Sequence, residues 1–160
     1  MVGINESYLA AYLFLDMTTG DGMNKTNEFA NLIGSMSLLD DGVPVDIQMW
    51  KYWEASFKKI VATIENADSK KPINPLNQLI DIKSAFLVTY DFLDEYTGDS
   101  NCKSRQAKDL LCSMLFLDNG MPSSSLTWKQ WELSYQQALD PESAKKAKLV
   151  LYKKPFYKFW

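Results

Sequence analysis

The sequence predicts an all-α fold: two tandem three-helix repeats related by pseudo-twofold symmetry, plus a C-terminal helix, packed as one bundle. Three observations support this prediction. The chain repeats itself at a constant offset, since 21 of the 49 positions from 9 to 57 carry the same residue 78 positions later. Apolar residues recur at spacings of three and four, the period of an amphipathic helix. No segment alternates apolar and polar residues for more than a few positions, as a half-buried strand would.

The first helix of repeat one is predicted from an apolar stripe that closes on an aspartate present in both copies. The segment TGD at 19–21 ends this helix, because Gly20 suits the left-handed backbone that follows a helix C-terminus. The same three residues return 78 positions later. The stripe consists of Tyr8, Leu9, Tyr12, Leu13 and Asp16.

A second helix is predicted before the segment DDGVP at 40–44. Gly42 permits a positive φ and Pro44 cannot continue a helix, so this segment forms a turn. The apolar face of the helix consists of Phe29, Leu32, Ile33, Met36 and Leu39.

A third helix is predicted to begin after Asp46, whose carboxylate suits an N-cap. Ser124 occupies the equivalent position of repeat two, and the exchange of one good N-cap residue for another supports the assignment. The apolar face of the helix in repeat one consists of Trp50, Trp53, Phe57, Ile60 and Ile64.

Each third helix carries two tryptophans three positions apart, so that both members lie on one face. Such a pair is suited to stacking on bases or on a sugar, but acidic surroundings oppose nucleic acid. We therefore expect the tryptophans to pack in the core between the repeats. The pairs are Trp50 with Trp53 and Trp128 with Trp131.

We expect residues 1–160 to form a single helical domain. Repeat one spans about 5–65 and repeat two about 76–140, and the polar, proline-bearing segment 66–75 links them. The rest, 141–160, is a basic and aromatic C-terminal segment. A helix is predicted there, with Asp140 as its cap and Pro141 in its first turn, and it is expected to reach about residue 152. Residues 155–160 include four aromatics, which predicts docking on the body of the protein, with binding to a partner as the alternative.

The net charge of −3 is unevenly distributed along the chain. Residues 1–140 hold 19 acidic against 11 basic residues, whereas residues 141–160 hold six lysines against Glu142 alone. An acidic body disfavours nucleic acid and favours a basic protein partner.

The absence of histidine argues against an enzyme. It removes histidine-based triads, most zinc sites and the commonest general base. Cys102 and Cys112 lie ten residues apart, which fits neither a CxxC motif nor a zinc ribbon, and we expect both to be reduced, with Cys112 in a core. No phosphate-binding glycine motif is present. We expect no catalytic residue, cofactor or metal, and a carboxylate site built from repeated acids such as Asp16 and Asp94 is a distant third interpretation.

The location is expected to be cytoplasmic. No stretch approaches the roughly 18 apolar residues of a membrane span. The first residues, MVGINES, do not show the basic and then apolar segments of a secretory signal.

The segments SMSLLDDGVPVDIQMWKYW at 35–53 and SMLFLDNGMPSSSLTWKQW at 113–131 resemble a pattern, LLxDGxPxD followed by WxxW, of small bacterial immunity proteins. These belong to contact-dependent growth inhibition and related polymorphic-toxin systems. Phe14-Leu15 and Phe92-Leu93 match the aromatic first helix of that pattern. The tandem arrangement departs from family members that are single units.

The resemblance implies a toxin inhibitor that binds a cognate toxin domain, in many cases a basic nuclease, by protein–protein contact and blocks its active site. The acidic loop is stronger in repeat one, and the expected toxin-binding residues are Asp40, Asp41 and Asp46, with Glu54 nearby. The alternative for Glu54 is a solvated helix residue. The alternative function is a helical adaptor or scaffold for an endogenous partner. The sequence leaves open whether the protein is a monomer or a homodimer.

Overall fold

A computed structural model describes residues 1–18, 27–39, 44–68, 74–98, 105–118, 120–143 and 145. All of the elements in this part of the chain are helical. The first half contains helices α1 (Ile4–Thr18), α2 (Asn27–Met36) and α3 (Ile47–Asp68). A short 3-10 helix, Pro75–Asn77, precedes the second half, which contains helices α4 (Ile82–Gly98), α5 (Arg105–Met114) and α6 (Ser125–Leu139). The predicted all-α bundle is confirmed at this level.

The long helices pack crosswise between the two halves of the chain. Helix α1 has its most extensive contacts with α6, and α3 has its most extensive contacts with α4. The third helix of each half therefore lies against the first helix of the other half. These four helices therefore bury their apolar faces mainly against the opposite half, whereas α2 and α5 pack against helices of their own half.

Two tryptophans anchor this crosswise packing. Trp53 and Trp131 are fully buried, and both lie beside a phenylalanine of the opposite half at a ring-centroid distance of 5.6 Å. The partner of Trp53 is Phe92, and the partner of Trp131 is Phe14. Both contacts are edge-to-face, a favoured aromatic geometry. Trp53 and Trp131 thus pack in the core between the two halves of the chain, as expected.

The indole nitrogens of the same tryptophans are hydrogen-bonded to backbone. Trp53 Nε1 donates to the carbonyl of Ile4 at 3.3 Å, and Trp131 Nε1 donates to the carbonyl of Ile82 at 3.0 Å. The accepting residues begin α1 and α4. Each tryptophan thus fixes the start of the first helix of its own half while its ring contacts the other half.

The connection between the second and third helix has the same backbone geometry in both halves where it is described. Leu38 bridges to Pro44, and Phe116 bridges to Pro122. In the second half Gly120 has a φ of +72°, a left-handed conformation that glycine adopts without a side-chain clash. Proline can occupy these bridges because each is an isolated pair at an edge, where a backbone N–H is not needed for a further strand.

Both predicted N-caps are confirmed. The Asp46 carboxylate accepts a hydrogen bond from the backbone N–H of Gln48 at 2.8 Å. The Ser124 hydroxyl accepts one from the N–H of Thr127 at 3.2 Å. Both satisfy an otherwise unpaired amide in the first turn of a helix.

Several sequence expectations are wrong in detail. Leu39 lies beyond the end of α2 and is 43% exposed, because the chain leaves the helix at Met36 and turns the side chain of Leu38 inward instead. Ile64 is also exposed, because the last turns of α3 extend past the core. Cys112 is exposed on α5 rather than in a core, since Leu111 and Met114 supply the buried face of that helix.

The predicted linker also starts later than expected. Helix α3 continues to Asp68, and the 3-10 helix begins at Pro75, where the side chain of Asn74 caps it. Asp140 ends α6, and its carboxylate also accepts a hydrogen bond from the N–H of Ser143 at 3.0 Å. Most of the predicted C-terminal helix and the aromatic residues 155–160 lie outside the described residues. No described helix is long and apolar enough to cross a membrane.

Candidate partner-binding surface

The start of α3 presents carboxylates, an aromatic ring and an exposed aliphatic side chain close together. We call the set Asp46, Ile47, Trp50 and Glu54 the α3 surface. Asp46, Trp50 and Glu54 are spaced four positions apart, which places them along one side of a helix. Ile47, in the first turn, is 55% exposed.

Asp46 is positioned by the loop that precedes α3. Its backbone N–H donates to the carbonyl of Ser35 at the end of α2, at 3.2 Å, and its carbonyl accepts from the N–H of Met49 at 3.1 Å. Its carboxylate is half-buried and caps α3 through Gln48. The carboxylate therefore has a structural role, and its second oxygen adds negative charge at the helix N-terminus, where the helix dipole favours an anion.

Glu54 is held by its neighbours on the helix. The Trp50 indole Nε1 donates to Glu54 Oε1 at 2.7 Å, and Lys58 Nζ lies 3.6 Å from Glu54 Oε2. Both partners are one helical turn away. The indole bond is short, as expected for a donor to a charged acceptor. It restricts the carboxylate to one rotamer region before any partner arrives, and so lowers the entropy cost of a later contact.

Trp50 has one packed side and one open side. Its ring lies edge-to-face with Tyr8 at a centroid distance of 5.3 Å, and the residue is half-buried. Trp53, three positions on, has no exposed surface. The tryptophan pair is thus divided between the core and the surface. A half-buried tryptophan beside a fixed carboxylate is the composition found at energetic centres of protein interfaces.

The phenol of Tyr8 beneath this surface remains neutral. Burial raises its pKa, and the negative charge of Asp46 raises it further. The protonated hydroxyl donates to the backbone carbonyl of Met36 at 3.0 Å. Tyr8 therefore acts as a fixed support that joins α1 to the end of α2, and the negative charge of the α3 surface comes from the carboxylates.

The four residues predicted to bind a toxin are only partly described. Asp40 and Asp41 lie outside the described residues. Asp46 and Glu54 are brought to the same side of α3. Glu54 is not an ordinary solvated residue, because the indole bond to Trp50 and the ion pair with Lys58 fix it. The binding role of all four residues stays a prediction.

Trp50 was missed as a candidate site residue, because both tryptophans of the pair were assigned to the core. The i, i+4 spacing of Trp50 and Glu54 was the available signal, since residues at this spacing are neighbours on a helix surface. The burial difference between Trp50 and Trp53 is decided by α4, which covers one of them. The helical spacing of the two tryptophans does not by itself indicate which of them is covered.

The corresponding place in the second half has different chemistry. Ser124 stands where Asp46 is, Ser125 where Ile47 is, and Trp128 where Trp50 is. Trp128 is 9% exposed, and its ring packs edge-to-face against Phe86 at 5.4 Å. The second half therefore keeps the cap and the packed tryptophan, but serine replaces both the Asp46 carboxylate and Ile47.

The second half instead exposes large apolar side chains. Phe116 and Pro122 pair in the segment that joins α5 and α6. In paired extended backbone, successive side chains point to opposite sides, so the neighbours of these two residues point outward. The backbone pairs there are Leu117 with Met121 and Leu115 with Ser123. The exposed apolar residues of the bridge and of α6 are Leu115, Leu117, Met121, Leu126 and Leu133.

The carboxylates of the described residues form neither a metal site nor a repeated pair at one place. Within the described residues, no three His, Cys, Asp or Glu side chains are grouped so that they could hold a metal ion. Asp16 lies on α1 and Asp94 on α4, one half-buried and the other exposed. The charge of Asp16 acts on Tyr12, whose pKa is raised by burial first and by Asp16 second. The charge of Asp94 acts in the same direction on Tyr90, again after burial.

The α3 surface is thus a fixed acidic and aromatic patch with no described metal-binding group beside it. It combines two carboxylates with a half-buried indole ring and an exposed aliphatic side chain. No family model, no curated protein and no solved structure matches this chain.

Proposed function

We propose that this protein is an inhibitor of the immunity type, which binds a basic toxin domain through the α3 surface and neutralises it by protein–protein contact. The observation that carries the proposal is the 2.7 Å hydrogen bond from the Trp50 indole to Glu54, which fixes a carboxylate beside a half-buried aromatic ring. In this proposal the protein acts in the cytoplasm, and it uses neither a cofactor nor catalysis. A nuclease domain is the expected target, because such domains carry basic surfaces for their nucleic acid substrates.

Electrostatics favour a basic target. Residues 1–140 hold 19 acidic against 11 basic residues, and two of these acidic residues, Asp46 and Glu54, belong to the α3 surface. Opposite charge on a partner raises the association rate and suppresses acidic competitors. Trp50 and Ile47 supply the apolar contact area that charge alone does not provide.

We infer that the two halves are repeats related by pseudo-twofold symmetry within a single domain. We also infer that the halves differ in the surfaces they offer to a partner. The bridges, the N-caps and the tryptophan hydrogen bonds occur at positions 78 residues apart, which supports this inference. What differs between the halves is the surface. Partner recognition is therefore expected where the symmetry is broken, on the α3 surface of the first half.

A helical adaptor is the second candidate function. The exposed apolar residues of the second half support it, in particular Leu117 and Met121, which lie side by side on the bridge. An adaptor would use this face for one partner and the acidic face for another. In that case the α3 surface would still matter, but no toxin would be neutralised.

The test is growth rescue together with direct binding. The toxin domain encoded next to this gene would be co-expressed with the wild-type protein, with Asp46→Ser and with Glu54→Gln, and binding would be measured at two salt concentrations. Serine preserves the cap and glutamine preserves an acceptor for the Trp50 indole, so both changes remove charge alone. Glu132→Gln is the matched control, because Glu132 is the counterpart of Glu54 on the exposed side of α6.

We expect wild type to restore growth. Each charge removal is expected to lower affinity by about two- to five-fold at low salt, mainly through the association rate, with a smaller loss at high salt. The control is expected to behave as wild type. The proposal is overturned if wild type neither rescues growth nor binds the toxin domain. If both charge variants rescue growth and bind with wild-type affinity, the protein is still an inhibitor, but the α3 surface is not its binding site.

A further inference from the structure

The segment that joins α5 and α6 presents backbone hydrogen-bonding groups along one of its edges. Phe116 and Pro122 form a non-hydrogen-bonded antiparallel pair, because the backbone hydrogen bonds are made by the residues on either side of them. In such a pair the N–H and C=O of Phe116 point away from the partner strand. Pro122 has no N–H, so the opposite edge offers no donor at that place. The edge formed by residues 115–117 is therefore the one suited to exchange two backbone hydrogen bonds with a further strand.

The side chains on the outer side of this edge are apolar. Leu115 is 47% exposed and Leu117 is 50% exposed. Phe116, between them, turns to the inner side and packs edge-to-face on Phe86 of α4 at a ring-centroid distance of 5.6 Å. The edge is thus fixed to the body of the protein on its inner side, while its two leucines are accessible. An exposed edge with apolar side chains favours pairing with another strand.

This edge is complementary to itself. If two copies of the chain pair antiparallel about Phe116, the N–H of each Phe116 meets the C=O of the other. Leu115 then lies opposite Leu117 of the second copy, and the reverse pair is identical, so that two leucine pairs form across the contact. Both chains contribute the same residues, as in a twofold dimer, and the contact closes with two copies.

The distribution of charge also favours the second half for contact between copies. Residues 110–133 hold two acidic residues and one lysine, whereas the equivalent segment 32–55 holds four acidic residues and one lysine. Two copies with a net charge of −3 repel each other, and the repulsion is smaller where acidic residues are fewer. The equivalent edge of the first half also has Ser37 in place of Leu115. A second copy is therefore better accommodated by the second half.

A stable dimer buries more area than three residues supply, since a standard interface covers about 800 Å² on each partner. Further exposed apolar side chains of this half provide such area. Met121 is hydrogen-bonded through its backbone to Leu117 and is 39% exposed. Leu126 and Leu133 of α6 are 64% and 57% exposed. They are seven positions apart and so lie on one side of the helix.

We propose that a second copy of this chain binds the 115–117 edge, so that the two edges pair antiparallel about Phe116 and the leucines of each copy cover those of the other. Met121 and the exposed leucines of α6 extend the contact. The dimer uses none of the residues of the α3 surface, so it is independent of the proposed inhibitor function. Each copy keeps its own α3 surface for a partner.

The experiment measures the dimer dissociation constant of the full-length protein by analytical ultracentrifugation over a range of protein concentrations. Two like-charge variants carry Leu115→Glu with Leu117→Glu, or Leu115→Lys with Leu117→Lys. A mixed variant carries Leu115→Glu with Leu117→Lys. The matched control is Leu39→Glu, because Leu39 is the counterpart of Leu117 in the first half and is 43% exposed. Circular dichroism and thermal unfolding of every variant report whether the fold is intact.

We expect wild type and the control to be dimers with similar dissociation constants. Each like-charge variant is expected to raise the dissociation constant by about 100-fold or more, because equal charges face each other across the contact. The mixed variant is expected to lie between wild type and the like-charge variants, since antiparallel pairing sets opposite charges against each other. Net charge does not explain this order, because the lysine variant has the smallest net charge of the three.

A wild type that is monomeric at every concentration overturns the proposal, and any occupant of this face is then a different protein or another part of the chain. The proposal is also rejected if the folded like-charge variants dimerise as wild type does, or if Leu39→Glu weakens the dimer as much as they do. A mixed variant that dimerises no better than the like-charge variants rejects the antiparallel pairing about Phe116.

Discussion

Val2 and Ile80 exchange both of their backbone hydrogen bonds, from Val2 N to Ile80 O at 2.9 Å and from Ile80 N to Val2 O at 2.8 Å. The two residues are 78 positions apart, which is the offset of the sequence repeat. Both side chains are buried at 2% exposure. A residue thus pairs with the residue at the equivalent position of the other half. The pair ties together the chain segments that enter α1 and α4.

The buried tryptophans give the first prediction. Trp53→Phe and Trp131→Phe are each expected to lower the free energy of unfolding by about 2–4 kcal/mol, because each removes ring volume from the core and leaves a backbone carbonyl without its indole donor. Trp50→Phe is the control and is expected to cost about 1 kcal/mol, since the ring is half-buried. Urea denaturation measures all three. Equal losses of unfolding free energy in Trp50→Phe and Trp53→Phe would contradict the assignment of Trp50 to the surface and Trp53 to the core.

An ion cluster between α3 and α4 gives the second prediction. Lys59 Nζ lies 2.6 Å from Asp91 Oδ1 and 3.4 Å from Glu95 Oε1, while Asp91 Oδ2 is buried without a hydrogen-bond partner in the described part of the chain. The residues 78 positions away are Gln137, Leu13 and Met17. The three charged positions of this cluster thus correspond to uncharged residues at the equivalent positions of the other half.

Exchanging residues between the halves tests this difference. Lys59→Gln alone is expected to lower stability, because it leaves the partly buried Asp91 carboxylate without its cation. The double variant Lys59→Gln with Asp91→Leu, which copies the other half, is expected to regain most of that loss, since an apolar residue of similar size removes the unpaired charge. Denaturation midpoints at low and high salt are the measurement. A double variant less stable than the single one would contradict this account.

The N-cap formed by Asp46 gives the third prediction. Asp46→Ala is expected to lower the free energy of unfolding by about 1 kcal/mol, because α3 loses its cap. Asp46→Ser is expected to stay within about 0.5 kcal/mol of wild type, because serine caps the same helix position in the other half. Ser124→Ala should cost about as much as Asp46→Ala. A destabilised Asp46→Ser would mean that charge at this position, rather than capping, stabilises α3.

Asp81, at the N-terminus of α4, gives the fourth prediction, which concerns how the stability of the fold depends on pH. Asp81 Oδ1 accepts a hydrogen bond from Ser84 N at 2.7 Å. Partial burial raises the pKa of Asp81, but the hydrogen bonds from Ser84, together with Lys83, outweigh it and leave the pKa below its usual value. A carboxyl whose pKa is lower in the folded state stabilises the fold above its unfolded pKa, and this contribution is lost as pH falls through the folded pKa.

Asp81→Asn isolates that contribution, because asparagine still caps a helix but does not titrate. The stability advantage of wild type over Asp81→Asn is expected to be largest near about pH 6–7 and to shrink toward about pH 3. Thermal or urea unfolding of both proteins across this range is the measurement. An advantage that is constant with pH, or that grows in acid, would contradict the assigned shift.

Local sequence patterns predicted the helices well. The spacing of Phe29, Leu32 and Ile33 gave α2, and the two cap residues marked where α3 and α6 begin. The ends were less accurate: α3 runs to Asp68, and Leu39 lies outside α2. Helix ends depend on neighbouring elements as well as on local residues. The bridge between Leu38 and Pro44 competes for the residues that follow Met36 and ends the helix there.

The sequence by itself determined the helical period, the caps and turns, and the 78-residue repeat, because each depends on residues close together or on direct comparison of two segments. The tertiary structure decided which helices are partners, namely α1 with α6 and α3 with α4. It also decided that Trp53 is buried while Trp50 remains at the surface beside Glu54. Apolar faces of similar size are interchangeable in sequence, and only the packing of distant helices determines which side chain is covered and which stays accessible to a partner.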